Sequence, residues 1–250
     1  MKTYTEIFEH RGHEYNQASL ISATARQTEV DALLNLLSFR PDLTIVDVPA
    51  GGGFVAKRIE ARALPHQQVI CVEPAKQFAA AIPAHFTVLN EEVDALSLED
   101  NSVDVVSSLA GLHHIENRMP IYQQWHRVLR PGGRLVIADV KEHTATAQFL
   151  NGFVNQYNSS GHEGLFIRQG EFELGLVKAG FSIEHNQLTD VRWHFDNQQQ
   201  MGEFCKSLFA IDNASVAQVI QVLTEDVGIS EDNRGVDLHW QLQYACGFKK

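Results

Sequence analysis

Three consecutive glycines, Gly51, Gly52 and Gly53, follow an apolar run, Ile45 to Val48, that carries one carboxylate, Asp47. A helical stretch opens directly after them at Phe54. Glycines let the backbone come close to a ligand where a Cβ would clash, and the start of the next helix offers unpaired N–H groups. Strand, glycine turn and helix in this order form a nucleotide-cofactor site. Glu73 stands twenty positions beyond Gly53, at the end of a second apolar run. Gly51 to Ala56 also fits G-x-G-x-x-A, and with Glu73 it matches a dinucleotide fingerprint, glycines at the pyrophosphate and the acid on a ribose. Asp47 argues for a different ligand. A carboxylate ahead of the glycines suits a cationic ammonium group better than a pyrophosphate.

His113 and His114 follow a further strand pattern, at the end where open α/β sheets bind ligands. A histidine there can act as a general base toward a hydroxyl or phenol; it can equally pack or cap its loop. Arg11 and Arg26 are read as solvated, with carboxylate binding as the alternative. In Asp190-Val-Arg-Trp-His-Phe195 polar and apolar residues alternate, as in a strand, so Trp193 and Phe195 share one face. That face is sheet core or an aromatic substrate wall. The twelve histidines are scattered apart from His10/His13 and His113/His114, with no Cys/His group, so no required metal is expected.

Strand and helix patterns alternate around these residues. Strands are predicted at 43–48, 68–73, 85–89, 103–108 and 134–140, with helices at 54–61, 75–82 and 118–129. In the last helix Ile121, Trp125, Val128 and Leu129 share a face after a possible Asn117 cap, and Pro131-Gly132-Gly133 ends it. Such alternation implies a parallel sheet with helices on both faces. Residues 1–42 read as helical: Val30, Leu33, Leu34 and Leu37 have helical spacing, and Pro41 ends the pattern. Beyond 140 the pattern gives a helix near 144–156, the polar segment NSSGHEG (158–164), a helix near 169–178 and a strand at 181–195. Helices near 198–209 and 214–225 and a terminal strand near 237–248 follow. The 141–235 region exceeds a minimal α/β unit, and such additions usually carry binding loops.

The chain has 250 residues and a formal charge of −11, which does not suit a protein that grips phosphate backbones with Lys and Arg. Nucleic acid is not expected as a partner. The charged opening MKTYTEIFEHRGHEY lacks the apolar core of a signal peptide, and no apolar run reaches 18 residues, so no membrane association is expected. Three cysteines without a CxxC pair, Cys71, Cys205 and Cys246, fit a cytoplasmic location.

Several segments together resemble the class I S-adenosylmethionine (SAM)-dependent methyltransferases, in the group that includes small-molecule and quinone-precursor methylases. Asp47-Val-Pro-Ala-Gly-Gly-Gly53 resembles the family's D-x-G-x-G-x-G loop, and Val69-Ile-Cys-Val-Glu73-Pro74 its second motif. Glu92-Val-Asp-Ala-Leu96 through Asp104 resembles the adenine-side loop, and Leu109-Ala-Gly-Leu-His-His-Ile115 the segment after the fourth strand. Val128-Leu-Arg-Pro-Gly-Gly-Arg-Leu135 and Ala179-Gly-Phe181 resemble the turns before two later strands. The match runs over about residues 40–185. Pro49 replaces the loop's first glycine, and Glu92 stands where an Asp is common.

The resemblance implies one α/β domain over 1–250, with a Rossmann-like seven-stranded, mostly parallel sheet and a C-terminal antiparallel strand. It implies an N-terminal helical cap (1–42), a SAM-binding core (43–140) and a substrate-side lid with the final strands (141–250), including a helical insertion near 141–235. The implied activity is methyl transfer to a small-molecule acceptor by in-line displacement. Asp47, Ala50, Gly51 and Gly53 are expected beside the methionine part of SAM, Glu73 and Pro74 at the ribose, and Glu92 and Val93 at the adenine. Leu109 and Ala110 are expected near the sulfonium, and Tyr15 over it, where cation–π attraction is about 0.5–2 kcal/mol. His113 and His114 are the candidate catalytic residues. The same fold also resembles SAM-using cyclases and decarboxylases. An NAD-dependent oxidoreductase and a non-catalytic SAM-binding protein are the remaining alternatives.

Overall fold

The structure is a computed structural model that describes residues 4–62 and 64–250; residues 1–3 of the expected cap lie outside the described residues. Two helices open the chain, α1 (Tyr4–Ile21) and α2 (Gln27–Leu34). The spacing of Val30, Leu33 and Leu34 puts all three on the inner face of α2, fully buried. Alternation then sets in: β1 (Thr44–Asp47), α3 (Phe54–Glu60), β2 (Gln68–Val72), α4 (Lys76–Ala79), β3 (Thr87–Leu89), β4 (Val103–Leu109), α5 (Met119–Val128) and β5 (Leu129–Asp139). Next come α6 (Ala145–Phe149), a π-turn (Leu150–Val154), α7 (Asn155–Tyr157), α8 (Glu171–Lys178) and the long β6 (Phe181–Phe195). Helices α9 (Gln198–Leu208) and α10 (Val216–Val222), then β7 (Ile229–Asp232) and β8 (Gly235–Lys249), complete the chain.

The strand order is β3-β2-β1-β4-β5-β8-β6, with β7 paired to β8. The five strands from β3 to β5 are mutually parallel, and β8 runs antiparallel to both β5 and β6. Ile45 and Val46, adjacent in β1, are both fully buried because helices cover both faces of the sheet. Sequence order reverses on either side of β1, which lies between β2 and β4. That switch point leaves a crevice beyond the carboxyl ends of β1 and β4, where ligands of open α/β sheets bind. Asp47, Ser107 and Cys71 share one register row at its floor.

Two details differ from the sequence expectation. Among the described residues the sheet has eight strands, the eighth being β7, a short hairpin partner at the tip of β8. Pro131-Gly132-Gly133 lies inside β5: Val103 faces Leu129 and Val105 faces Arg134, so residues 130–133 bulge out of the ladder.

A buried polar node ties the helical cap to the outer strands. Glu29 on α2 is fully buried and accepts from Arg26 Nε at 3.1 Å and NH2 at 2.5 Å, and from Trp193 Nε1 on β6 at 2.6 Å. Tyr244 on β8 donates to the Glu29 carbonyl at 3.0 Å. The solvated reading of Arg26 and Arg11 is therefore corrected, since both are buried. Burying an ion pair is costly unless further hydrogen bonds satisfy it, and Trp193 supplies one. The three cysteines are free and buried. Among the described residues no helix is long and apolar enough to cross a membrane.

Candidate functional site

The glycine turn is built around Glu73. Beyond β1 the Val48–Pro49 peptide is cis, and Ala50 N donates to Val72 O at 2.9 Å, tying the turn to β2. Gly51 has φ +53°, and its amide donates to Glu73 Oε2 at 2.8 Å. A Cβ at Gly51 would lie 2.8 Å from the tip of the Phe78 ring, so both conformation and space require glycine there. Gly53 caps α3. Glu73 is fully buried, and its Oε1 accepts the Ala75 amide at 2.9 Å. Burial pushes the Glu73 carboxyl up to about 7, against the pull of the Ala75 and Gly51 amides and the Tyr4 hydroxyl. Burial likewise raises Asp47 to about 8. The Ala56 amide and the Ser107 hydroxyl, 3.4 Å from Oδ1, pull the Asp47 carboxyl back down, and Oδ2 is buried with no hydrogen bond among the described residues. Pro49 fits because Gly111 lies against it: a Cβ there would come within 2.3 Å of Pro49 Cγ.

Helix α1 lies across this crevice. Tyr4 donates to Glu73 Oε2 at 2.9 Å, Thr5 to Glu92 Oε1 at 3.3 Å, and Asn16 Nδ2 to Phe78 O at 3.2 Å. Phe8 stacks on Phe78 with centroids 4.8 Å apart, and Tyr15 meets the same ring edge-on at 4.7 Å. On the outer side a cavity of about 370 Å³ is lined by Tyr4, Thr5, Pro74, Glu92 and Val93. Glu92 is exposed and Val93 buried. At the end of β4, Leu109 is half-buried and Ala110 has φ +53°, with its amide on Ala138 O at 2.8 Å.

A second, smaller cavity of about 60 Å³ lies beyond Ala110, among His113, His114, His162, Trp193 and Trp240. His113 and His114 sit on the 3₁₀ turn Leu112–His114. Asp139, at the end of β5, organises that turn: Oδ2 accepts the Leu112 and His113 amides at 2.7 and 3.2 Å, and Oδ1 contacts His113 Nδ1 at 2.6 Å. Burial opposes ionisation of Asp139, but His113 and Arg118 outweigh it and hold the carboxyl below its usual range. Burial, then neighbouring His113, His162 and Arg11, drives His114 well below the usual histidine range; His162 is lowered well below it by burial, His113 and Arg11. Arg11 is held down to about 10, first by burial. It donates to Phe209 O at 3.0 Å and has no salt bridge among the described residues.

The residues expected from the sequence thus gather at the switch point: Asp47, Ala50, Gly51, Gly53 and Glu73 on the floor, Pro74, Glu92 and Val93 at the outer cavity, Ala110, His113 and His114 at the inner one. Tyr15 reaches the site through α1 and accepts a hydrogen bond from Arg26. Trp193 lines the inner cavity and is also core, whereas Phe195 packs only in the core, 5.2 Å from the Phe204 ring. His162 and Asp139 were not singled out from the sequence. The one signal for His162 was its place in the polar NSSGHEG segment.

Sequence comparison matches residues 46–137 to a family described as "Methyltransferase domain". Over these residues the chain carries a methyltransferase domain of the class I SAM-dependent kind. A 27-O-demethylrifamycin SV methyltransferase of Amycolatopsis mediterranei is 34% identical over 141 residues, covering 52% of this chain and 50% of that one. The ubiquinone/menaquinone C-methyltransferase UbiE of Dinoroseobacter shibae is 27% identical over 132 residues, covering 49% and 52%. The match spans about half the length of each of these methyltransferases. Among solved structures, a Haemonchus contortus phosphoethanolamine N-methyltransferase 2 in complex with phosphomonomethylethanolamine and S-adenosylhomocysteine superposes with a TM-score of 0.66 at 12% identity. It covers 100% of this chain and 60% of that one. The cofactor of this methyltransferase domain is SAM. Its residues fit that group: a buried carboxylate faces the glycine turn, and the unpaired Oδ2 of Asp47 suits a positively charged ligand.

Proposed function

We propose that the protein transfers a methyl group to a small-molecule acceptor held in the inner cavity, with Asp47, Ala50, Gly51, Gly53, Glu73, Pro74, Glu92, Val93, Leu109, Ala110 and Tyr15 as the SAM-binding residues. The observation that carries this reading is Glu73, buried at the end of β2 and joined to the Gly51 amide at 2.8 Å. An acid so placed is the ribose-binding group, and each charge-assisted bond it accepts contributes roughly 1.5–3 kcal/mol. When bound, SAM supplies a methyl group on a sulfonium, a leaving group that departs as S-adenosylhomocysteine.

The chain's own residues supply position, dryness and acceptor activation. Helix α1 covers the crevice with Phe8 and Tyr15, which pack on Phe78 and exclude water. Ala110, in its left-handed conformation, carries the chain from β4 between the outer and inner cavities. His113 and His114 line that cavity as the acceptor-activating groups: Asp139 accepts a hydrogen bond from His113 Nδ1, so that Nε2 keeps its lone pair. The Trp193 and Trp240 walls support an acceptor with an apolar or aromatic face. The names of the two curated relatives, a rifamycin and a quinone methyltransferase, support a small-molecule acceptor.

The test is incubation with methyl-labelled SAM and a panel of phenols, hydroxylated rings, amines and thiols. S-adenosylhomocysteine must form in step with a labelled product. Methylthioadenosine, or substrate conversion with SAM unconsumed, rejects methyl transfer and favours cyclase- or decarboxylase-type chemistry.

A further inference from the structure

Three imidazoles meet at the inner cavity from two segments 48 residues apart in sequence, His114 to His162. One ring nitrogen from each of His113, His114 and His162 lies within 4.8 Å of the others, and all three residues are buried. Their hydrogen bonds determine which ring nitrogens carry a proton and which keep a lone pair. The Asp139 carboxylate can only accept when ionised, so His113 Nδ1, 2.6 Å from it, carries the proton. Asn151 donates from Nδ2 to Gly164 O at 2.8 Å and accepts the Gly164 amide on Oδ1 at 2.7 Å, which fixes its amide orientation. His162 Nδ1, 3.2 Å from that same Oδ1, is therefore also a donor. Both rings keep Nε2 as a bare lone pair. The His114 ring makes no hydrogen bond to another described residue.

We propose that His113, His114 and His162 bind a divalent transition metal ion of the zinc class, with a coordination position left open toward the inner cavity. Facing lone pairs in a buried site are costly unless something positive lies between them. Metal-bound histidines characteristically donate their second N–H to a carboxylate or carbonyl, and here Asp139 and Asn151 accept from His113 and His162. The scaffold is stiff: Leu165 N donates to His113 O at 2.7 Å, and Arg118 bridges Leu112 O and Leu165 O. Asn155 Oδ1 holds the His162 amide at 2.7 Å. Asn151 lies in the π-turn and Asn155 directly follows it, a local widening of the helix that recurs at functional sites. Three neutral imidazoles and an open position are the donor set of a catalytic zinc rather than a structural one.

Arg11 lines the same cavity and opposes a bare cation there. Its charge instead complements an anion in the open position. A coordinated hydroxyl or thiol loses its proton to solvent near neutral pH, because the metal stabilises the anion. The freed lone pair then belongs to an oxygen or sulfur acceptor. This acceptor class rests on the proposed methyl transfer; metal binding itself does not.

The test uses the full chain, stripped with chelator and titrated with Zn²⁺ by calorimetry and with Co²⁺ by visible absorption. One equivalent of zinc with micromolar or tighter affinity, and intense tetrahedral Co²⁺ bands, are expected. His114→Gln and His162→Gln should each weaken zinc at least tenfold with little change in melting temperature, and Asn151→Ala should weaken it about 10–100-fold. Absence of stoichiometric zinc, or wild-type zinc affinity in both histidine variants, overturns the proposal. A parallel S-adenosylhomocysteine titration separates the two readings. Zinc without S-adenosylhomocysteine binding sinks the methyltransferase reading and leaves the metal site. The reverse sinks the metal site alone.

Discussion

The Tyr4 hydroxyl donates to Glu73 Oε2 at 2.9 Å, the same oxygen that takes the Gly51 amide at 2.8 Å. The first turn of α1 therefore occupies the carboxylate assigned to the ribose, and cofactor binding must displace it. Tyr4→Phe removes that competitor. A hydrogen bond worth about 1 kcal/mol translates into roughly fivefold tighter S-adenosylhomocysteine binding by calorimetry. Weaker binding in the variant would show that Tyr4 serves the cofactor instead of excluding it.

Gly51→Val sets a branched side chain at φ +53° against the Phe78 ring. A left-handed backbone costs an ordinary residue roughly 1–2 kcal/mol, and the side chain projects into the crevice. Loss of S-adenosylhomocysteine binding is expected, and Phe78→Ala in the same chain should not restore it. A Gly51→Val protein with wild-type affinity would remove the glycine turn from the site.

Much of this arrangement was legible in the sequence. The alternating strands and helices, the Asp47-to-Gly53 turn and Glu73 are local patterns, and each fell at the switch point of the sheet. Long-range assembly was not legible. Asp139 and His162 reach His113 from other segments, and no spacing rule brings residues so far apart into one cluster. The expectation of no metal came from sequence spacing alone, and folding supplies a proximity that spacing does not show. Arg26 looked like a surface charge because Trp193, whose ring centroid lies 5.1 Å from its guanidinium carbon, is 167 positions away and Glu29 carries no mark of burial.

Glu29 offers a stability test away from the crevice. It is fully buried and neutralises Arg26 while accepting from Trp193. Glu29→Ala leaves a buried guanidinium without its carboxylate, a change that costs about 3–5 kcal/mol. Urea unfolding should show the midpoint fall accordingly. A shift worth under about 1 kcal/mol, the range of an exposed pair, would mean the node contributes little.

The two buried carboxyls predict a pH dependence of the cofactor-free protein. Asp47 is raised to about 8 and Glu73 to about 7, in both cases chiefly by burial. A raised folded-state value means the folded form holds its proton more tightly. Its contribution is fully present below the unfolded value near 4 and is lost as pH rises toward 7 for Glu73 and 8 for Asp47. Each group changes stability by up to about 1.4 kcal/mol per pH unit inside its window. Melting temperature should therefore fall between pH 5 and 8, and Asp47→Asn should flatten the decline. An equal slope in that variant would contradict the assignment to Asp47.

The central claim is that Glu73 and the glycine turn form a SAM site. Calorimetric titration of S-adenosylhomocysteine into the wild-type chain and into Glu73→Ala tests it most directly. The account predicts one ligand per chain for the wild type and affinity at least tenfold weaker in the variant, from lost charge-assisted bonds. Equal affinity in the two proteins, or no binding to the wild type, would contradict it.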